Sequence, residues 1–441
     1  MIPRALAIAV AVLAALLSVV PRESRLDAIA AQAFPAQRPG AAVIVMKGGR
    51  VLLRAGYGMA DLDRGTRIRP DSVFRIGSMT KQFTAIAILQ LVASGRIALD
   101  DPVTKFLPDY PTHGQTITVE HLLTHTSGIR NYTGKRDFWA LIRRDMTPAQ
   151  LIALFRDDPM QFEPGRKWAY SNSNYILLGA ILEKVSGMPY AEYLRKNVFA
   201  RAGLAHTYYG DVSARVTGYE GRRGALVRAG EINLAVPYAA GSLLSTVDDL
   251  AKWNAAVAAG KLVDRRLVDR AWTPYNLANG ESTGYGYGWL IGKLGGERVI
   301  HHGGKINGFT SYGLWLPDHD VYVAVLSNQQ SPEPAPGYVA QLLALEAIGK
   351  PWTPPKAIVV TPRELSRYTG AYRVDAGPQW LVSLDGDTLY LHAGNERHAL
   401  IPVARSEFLV SGTFMRATFA GDAMVLDDGA RKTRLARMGS R

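Results

Sequence analysis

The chain has no cysteine among its 441 residues. That excludes disulfides, Cys-ligated zinc, iron–sulfur clusters and a thiol nucleophile. It is short of acidic charge, with 38 Asp and Glu against 51 Lys and Arg, a formal net charge of +13. Such an excess biases the surface toward anionic partners and says nothing about the fold. No basic run is interleaved with aromatics as a single-strand platform requires, so nucleic acid is not an expected partner. Several catalytic signatures are missing too. There is no Walker A loop, no dinucleotide glycine fingerprint and no H-E-x-x-H pair. A composition of 47% hydrophobic and 20% charged residues is ordinary for a globular chain.

What is present divides the chain into four stretches. Residues 1–22 carry Arg4 and then the uncharged run Ala5–Val20. Sixteen residues fall short of the roughly 20 that span a bilayer, so the run reads as a secretory signal. Pro21-Arg22-Glu23 makes a poor cleavage site, and an uncleaved membrane anchor is the alternative. Either way the protein is expected outside the cytoplasm, periplasmic or secreted.

Residues 23–350 open on an amphipathic stretch, Arg22–Ala33, and a glycine-turn hairpin over Ala41–Ala60. Helical patterns follow at Phe83–Ser94, Pro148–Phe155, Asn174–Val185 and Val247–Ala259. From Tyr285 to Gln329 the period becomes that of strands, and a helix over Tyr338–Ile348 closes the region. Strands at both ends with helices between predict an α/β (α+β) fold. Its antiparallel sheet is built from both ends of the chain, is flanked by N- and C-terminal helices and carries an inserted all-helical region. Residues 351–362 are a proline-rich linker. Residues 363–441 show seven short strand candidates, from Tyr368–Val374 to Ala423–Leu426. Turn dipeptides at Asp385-Gly386, Gly421-Asp422 and Asp428-Gly429 complete the pattern of a small all-β barrel or sandwich.

Three motifs carry chemistry. Ser78-Met79-Thr80-Lys81 is the one S-x-x-K of the chain. Three residues apart on a helix, the two side chains share a face. The helix that follows is apolar nearly all round, which marks it as buried. Ser78 then sits where helix N–H groups favour developing negative charge, and Lys81 sits deeper, where desolvation lowers its pKa. The second motif is Tyr170-Ser171-Asn172. A phenol held beside Lys81 is expected to have a lowered pKa and to shuttle protons. The third is His302-Gly303-Gly304-Lys305 on a strand, where glycine admits another backbone or a substrate. Strand alternation sends Lys305 to the face opposite His302, and keeps His301 and His302 from chelating one ion. His121 and His125, four apart, are within reach of one helix face, but no third ligand is spaced nearby. No metal and no other cofactor is expected.

In this order the three motifs resemble those of the class C β-lactamase and DD-peptidase superfamily of serine hydrolases. The likeness extends to VFRIGSMTKQFTA, ITVEHLLTHTSGI, FEPGRKWAYSNSNYILLGAILEKVSGMPY, AAGSLLSTVDDLAKW and HHGGKINGF, across residues 25–350. Residues 363–441 look like the lipocalin-like domain appended to some members, through ELSRYTGAY. The resemblance implies roles. Ser78 attacks a carbonyl and forms an acyl-enzyme, Lys81 and Tyr170 share the proton traffic, and Asn172 orients the substrate amide. The backbone N–H groups of Ser78 and Lys305 form an oxyanion hole. Two departures stand out. His302 replaces the lysine of the β-lactamases, so carboxylate binding should be weaker and should titrate near pH 6.5. Gly303 lacks the hydroxyl usual there. D-amino-acid peptide or ester hydrolysis is therefore expected ahead of β-lactam hydrolysis. The alternative is a non-catalytic or weakly acylating penicillin-binding sensor of the cell envelope. The expected partner is a small-molecule or peptide substrate.

Overall fold

The structure, a computed structural model, describes residues 22–439 except 214, 222–224, 375–378, 394–395 and 429–431. The expected signal or anchor falls on residues 1–22 and so lies, but for the helix-opening Arg22, outside the described residues. Gly429 of the third turn dipeptide also lies outside them.

Helix α1 (Arg22–Ala33) leads into strands β1 (Ala41–Lys47) and β2 (Arg50–Tyr57). The hairpin between them turns through Gly48 and Gly49, both at positive φ, a conformation that costs glycine little. Strands β3 (Leu290–Leu294), β4 (Glu297–Ile306), β5 (Phe309–Leu316) and β6 (Val321–Ser327) come from the far end of the region. The sheet runs β3-β4-β5-β6-β1-β2, antiparallel throughout, so its two sequence-distant halves meet at β1 and β6.

Both faces of this sheet are covered, which is why β1 and β6 read as continuous apolar runs rather than alternating ones. On the outer face Val43, Val45, Val323 and Val325 pack with Leu26 and Phe34 of the N-terminal segment. Val339 and Leu343 of the closing helix join the same cluster. The inner face presents Ala42, Ile44, Ala324 and Leu326 to the helical region. There the central helix α2 (Thr80–Ala93) is buried on every side except near its end, and it packs against α3 (Asn172–Ser186) and α4 (Val247–Ala258). The outer-face helix α5 (Pro336–Ala347) starts with proline at its first turn, where the missing N–H costs nothing.

Beyond the linker, eight strands close an antiparallel barrel: β7 (Gly370–Arg373), β8 (Gln379–Asp385), β9 (Thr388–Ala393), β10 (Glu396–Ala404), β11 (Glu407–Val410), β12 (Arg416–Ala420), β13 (Ala423–Asp427) and β14 (Lys432–Arg437). The sequence pattern yields seven of these. The last, KTRLAR, buries only Leu435 deeply while its charged side chains face out, so its apolar signal is too thin to read. Val382, Leu391, Phe408, Met424 and Leu435 fill the barrel interior. A sheet closed on itself leaves no edge strand to protect.

Candidate active site

Ser78 lies in a single 3-10 turn, Gly77–Met79, directly before α2. Gly77 takes φ +51°, and a Cβ there would sit 3.0 Å from the backbone nitrogen of Lys305. Gly304 is pressed harder still. Its Cβ would stand 2.0 Å from the Ile76 carbonyl oxygen and 2.6 Å from Ser311 Oγ. Ser311 Oγ donates to that same Ile76 carbonyl at 2.8 Å. Two glycines thus let strand β4 lie flush against the turn that carries Ser78, which brings the Lys305 amide beside it.

Lys81, one turn into α2, is fully buried, whereas Ser78 is half-exposed. Its Nζ has three partners: Ser78 Oγ at 3.1 Å, Asn172 Oδ1 at 2.8 Å and the Ala240 carbonyl at 2.8 Å. Burial holds the ammonium well below the usual lysine range. A neutral amine has two N–H groups and one lone pair. Asn172 Oδ1 and the Ala240 carbonyl can only accept, so they take both N–H groups. The lone pair is then left to the Ser78 hydroxyl.

Tyr170 precedes α3, with its hydroxyl close enough to Ser78 for that residue to favour the ionised phenol. Here the sequence expectation needs correction. Lys81 Nζ lies over the face of the Tyr170 ring, 4.8 Å from its centroid, and does not lower the phenol. Enclosure dominates and pushes it above its ordinary value, with Ser78 opposing. The resting hydroxyl is protonated. Asn172 donates through Nδ2 to Thr133 Oγ1 at 3.2 Å, and its backbone N–H goes to Asn131 Oδ1 at 3.1 Å. Both ends of its amide are occupied within the protein, on Lys81 and on Thr133.

His302 points inward from β4 and is 4% exposed. Its Nδ1 lies 2.5 Å from the Gly303 carbonyl, which can only accept, so Nδ1 carries the proton. Nε2 then accepts from the Tyr285 hydroxyl at 3.1 Å. Burial, reinforced by Lys81, brings its pKa down to about 3. The expectation that this residue titrates near 6.5 is overturned, because the imidazole is enclosed rather than open to water. A second correction concerns Gly303. A Cβ there would meet the Tyr312 ring at 3.2 Å, on the face opposite His302, so the absent hydroxyl leaves no gap beside Ser78. Lys305 shares that outward alternation through its side chain and contributes its backbone to the site. His301 stacks on Tyr312 and bonds its hydroxyl at 2.7 Å, away from His302.

The other histidine pair also separates. His121 caps the short helix Val119–Leu123, its Nδ1 accepting from Thr118 N–H. His125 lies past the end of that helix at φ +60°, so the two do not share a helix face. Among the described residues no three side chains of His, Cys, Asp or Glu gather as a metal site would need. Sequence reasoning missed the Ala240 carbonyl, Thr133 and Tyr285. A backbone acceptor leaves no residue-type signal, and the two side chains act through partners far along the chain.

Residues 27–348 match the family described as Beta-lactamase. Penicillin-binding protein 4* of Bacillus subtilis (strain 168) is 28% identical over 429 residues, 89% of this chain and 91% of that one. Among solved structures, the octameric penicillin-binding protein homologue from Pyrococcus abyssi superposes with a TM-score of 0.69 at 29% identity, covering 94% of this chain and 99% of that one. A D-stereospecific amidohydrolase from Streptomyces sp. gives a TM-score of 0.64 at 28% identity, over 75% of this chain and 99% of that one. With the β-lactamase/transpeptidase-like sheet and the S-x-x-K turn facing its inner side, the chain belongs to the beta-lactamase family of serine hydrolases.

Proposed function

We propose that this chain is an acyl-enzyme hydrolase in which Ser78 is the nucleophile, acting on amide, peptide or ester carbonyls of D-amino-acid substrates. The observation that carries the reading is the Lys81 amine, desolvated and fixed by two acceptor-only partners with its lone pair toward Ser78 Oγ. Lys81 takes the Ser78 proton as the Oγ–carbon bond forms. The carbonyl oxygen gathers charge against the Ser78 and Lys305 amides. As the carbon–nitrogen or carbon–oxygen bond to the leaving group breaks, that group takes the Tyr170 hydroxyl proton, and Lys81 restores it. Water then repeats the sequence to release the acid. In this reading the first task of Asn172 is to hold Lys81.

The substrate class rests on two supports. A neutral His302 offers no fixed cation for the carboxylate of a β-lactam. A relative of matching fold is named for D-stereospecific amide hydrolysis. The N-terminal apolar run supports placement outside the cytoplasm, which fractionation of expressing cells would check. For the chemistry, the full chain is incubated with a fluorophosphonate and with fluorescent penicillin, and the Ser78 peptide is weighed. Adduct in the wild type and none in Ser78→Ala is expected; a folded wild type that reacts with neither probe overturns the proposal. A panel of D-aminoacyl amides, D-Ala-D-Ala peptides, p-nitrophenyl esters and nitrocefin then ranks the substrates, with nitrocefin expected to be slowest.

A further inference from the structure

His125 is fully buried beside the candidate site and takes no part in the proton transfers proposed above. Its backbone φ of +60° is uncommon for a residue with a side chain. What that conformation achieves is a double grip on one short segment. The His125 carbonyl accepts the N–H of Ala169 at 3.0 Å. Its Nδ1 accepts the N–H of Ser171 at 3.2 Å. Between those two residues stands Tyr170, whose ring packs on the imidazole with centroids 4.3 Å apart.

The tautomer follows from the donors. Ser171 N–H and Asn174 Nδ2, the latter at 3.3 Å, both point at Nδ1. Asn174 is fixed in that sense because its Oδ1 accepts from Ser127 Oγ at 2.7 Å. Nδ1 is therefore bare, and the proton sits on Nε2, which is buried without a hydrogen-bond partner. The rings of Tyr170, Tyr175, Tyr285 and Trp168 surround it. An orphaned buried N–H is a cost that a merely space-filling residue would not carry.

We propose that His125 is a positioning residue for Tyr170, clamping the backbone on both sides of it so that the phenol hydroxyl stays beside Ser78. The inference rests on the acyl-enzyme reading. Burial pushes the imidazole well below its ordinary value, which favours the neutral ring and keeps Nδ1 an acceptor.

Leu and Asn are near-isosteric, and of the two only Asn keeps an acceptor near the Nδ1 position and tolerates positive φ. Labelling of the full chain by a fluorophosphonate is measured as a limiting rate and a half-saturating concentration. His125→Leu should lower the limiting rate by about tenfold or more, since a misplacement near 1 Å can cost on the order of 100-fold. The half-saturating concentration should stay within about threefold, and His125→Asn should recover most of the loss. A His125→Leu variant that labels as fast as the wild type overturns the inference alone, as does His125→Asn being as slow as His125→Leu. A wild type with no adduct on Ser78 overturns the acyl-enzyme reading and this inference with it. Should His125→Leu fail to fold, the ¹⁵N-histidine spectrum of the wild type decides, with the signal assigned by its loss in His125→Asn. A protonated Nε2 with bare Nδ1 supports the clamp, and a proton on Nδ1 overturns it.

Discussion

At the scale of single residues, enclosure outweighs neighbouring charge in setting protonation. Lys81, Tyr170, His125 and His302 are each shifted first by burial. All four shifts favour the uncharged form, so the resting site is a set of neutral donors and acceptors with one lone pair aimed at a hydroxyl. This has a consequence for stability. His302 titrates at about 3 and His301 at about 4 when folded, against roughly 6.5 when unfolded. Below pH 6.5 the unfolded chain binds protons that the folded chain refuses, so stability present above 6.5 is lost as pH falls toward 4 and 3. The loss is roughly 1.4 kcal/mol per pH unit for each such histidine. Urea midpoints should therefore drop between pH 7 and pH 5, and His302→Gln, which keeps an acceptor for Tyr285, should flatten the slope. An unchanged slope in that variant would mean that His302 is solvated. The same substitution should leave the acid limb of the acylation profile in place, because that limb belongs to Lys81 losing its lone pair as pH falls. A limb displaced by about one unit or more would assign it to His302 instead.

At the scale of elements, the decisive contact is strand β4 against the Ser78 turn, and it is glycine that permits it. Gly304→Ala puts a methyl group against the Ile76 carbonyl, which is backbone and cannot step aside. Gly303→Ala meets only a ring edge that has to yield by a few tenths of an ångström. Acylation should fall by about tenfold or more in the first variant and stay within about threefold in the second, the folded state of each checked by circular dichroism. Equal losses would show that the strand floats free of the turn. The same strand shows what sequence reveals and what it hides. Ser78 and Lys81 were legible because a three-residue spacing before an all-round apolar helix has a single geometric meaning. The sheet was legible from β1 and β6 for a similar reason: both read as unbroken apolar runs. The state of His302 was not legible. Its depressed pKa comes first from burial among elements far apart in the chain and then from Lys81 on another element. The Tyr170 phenol was misread for the same cause, since a lysine over a ring face and a lysine beside a hydroxyl look identical in sequence. The eighth barrel strand was lost because one deeply buried leucine among charged residues makes no alternating pattern.

At the scale of the whole molecule, the barrel meets the catalytic unit on the side of the sheet away from Ser78. Phe414, in the turn between β11 and β12, packs its ring 4.8 Å from that of Trp352 and 5.2 Å from that of Tyr338 on α5. Trp352 and Phe414 join the outer-face cluster of the sheet. Asp428 is close enough to Tyr312, on the same outer face, to raise its phenol further. The barrel has an interior of its own, and so does the sheet with its helices, so each unit buries a core without the other. Removing residues from Pro355 onward should therefore leave Ser78 acylation within about threefold of the full chain, while exposing Tyr338 and Trp352. The exposed rings should lower the melting temperature of the catalytic unit by several degrees, on the order of 1–2 kcal/mol of lost aromatic packing. Phe414→Ala in the full chain should reproduce most of that shift with the barrel still present. If the truncated chain folds yet no longer reacts at Ser78, the barrel acts through strands β4 and β5 to shape the site, and the outer-face contact is not its only function.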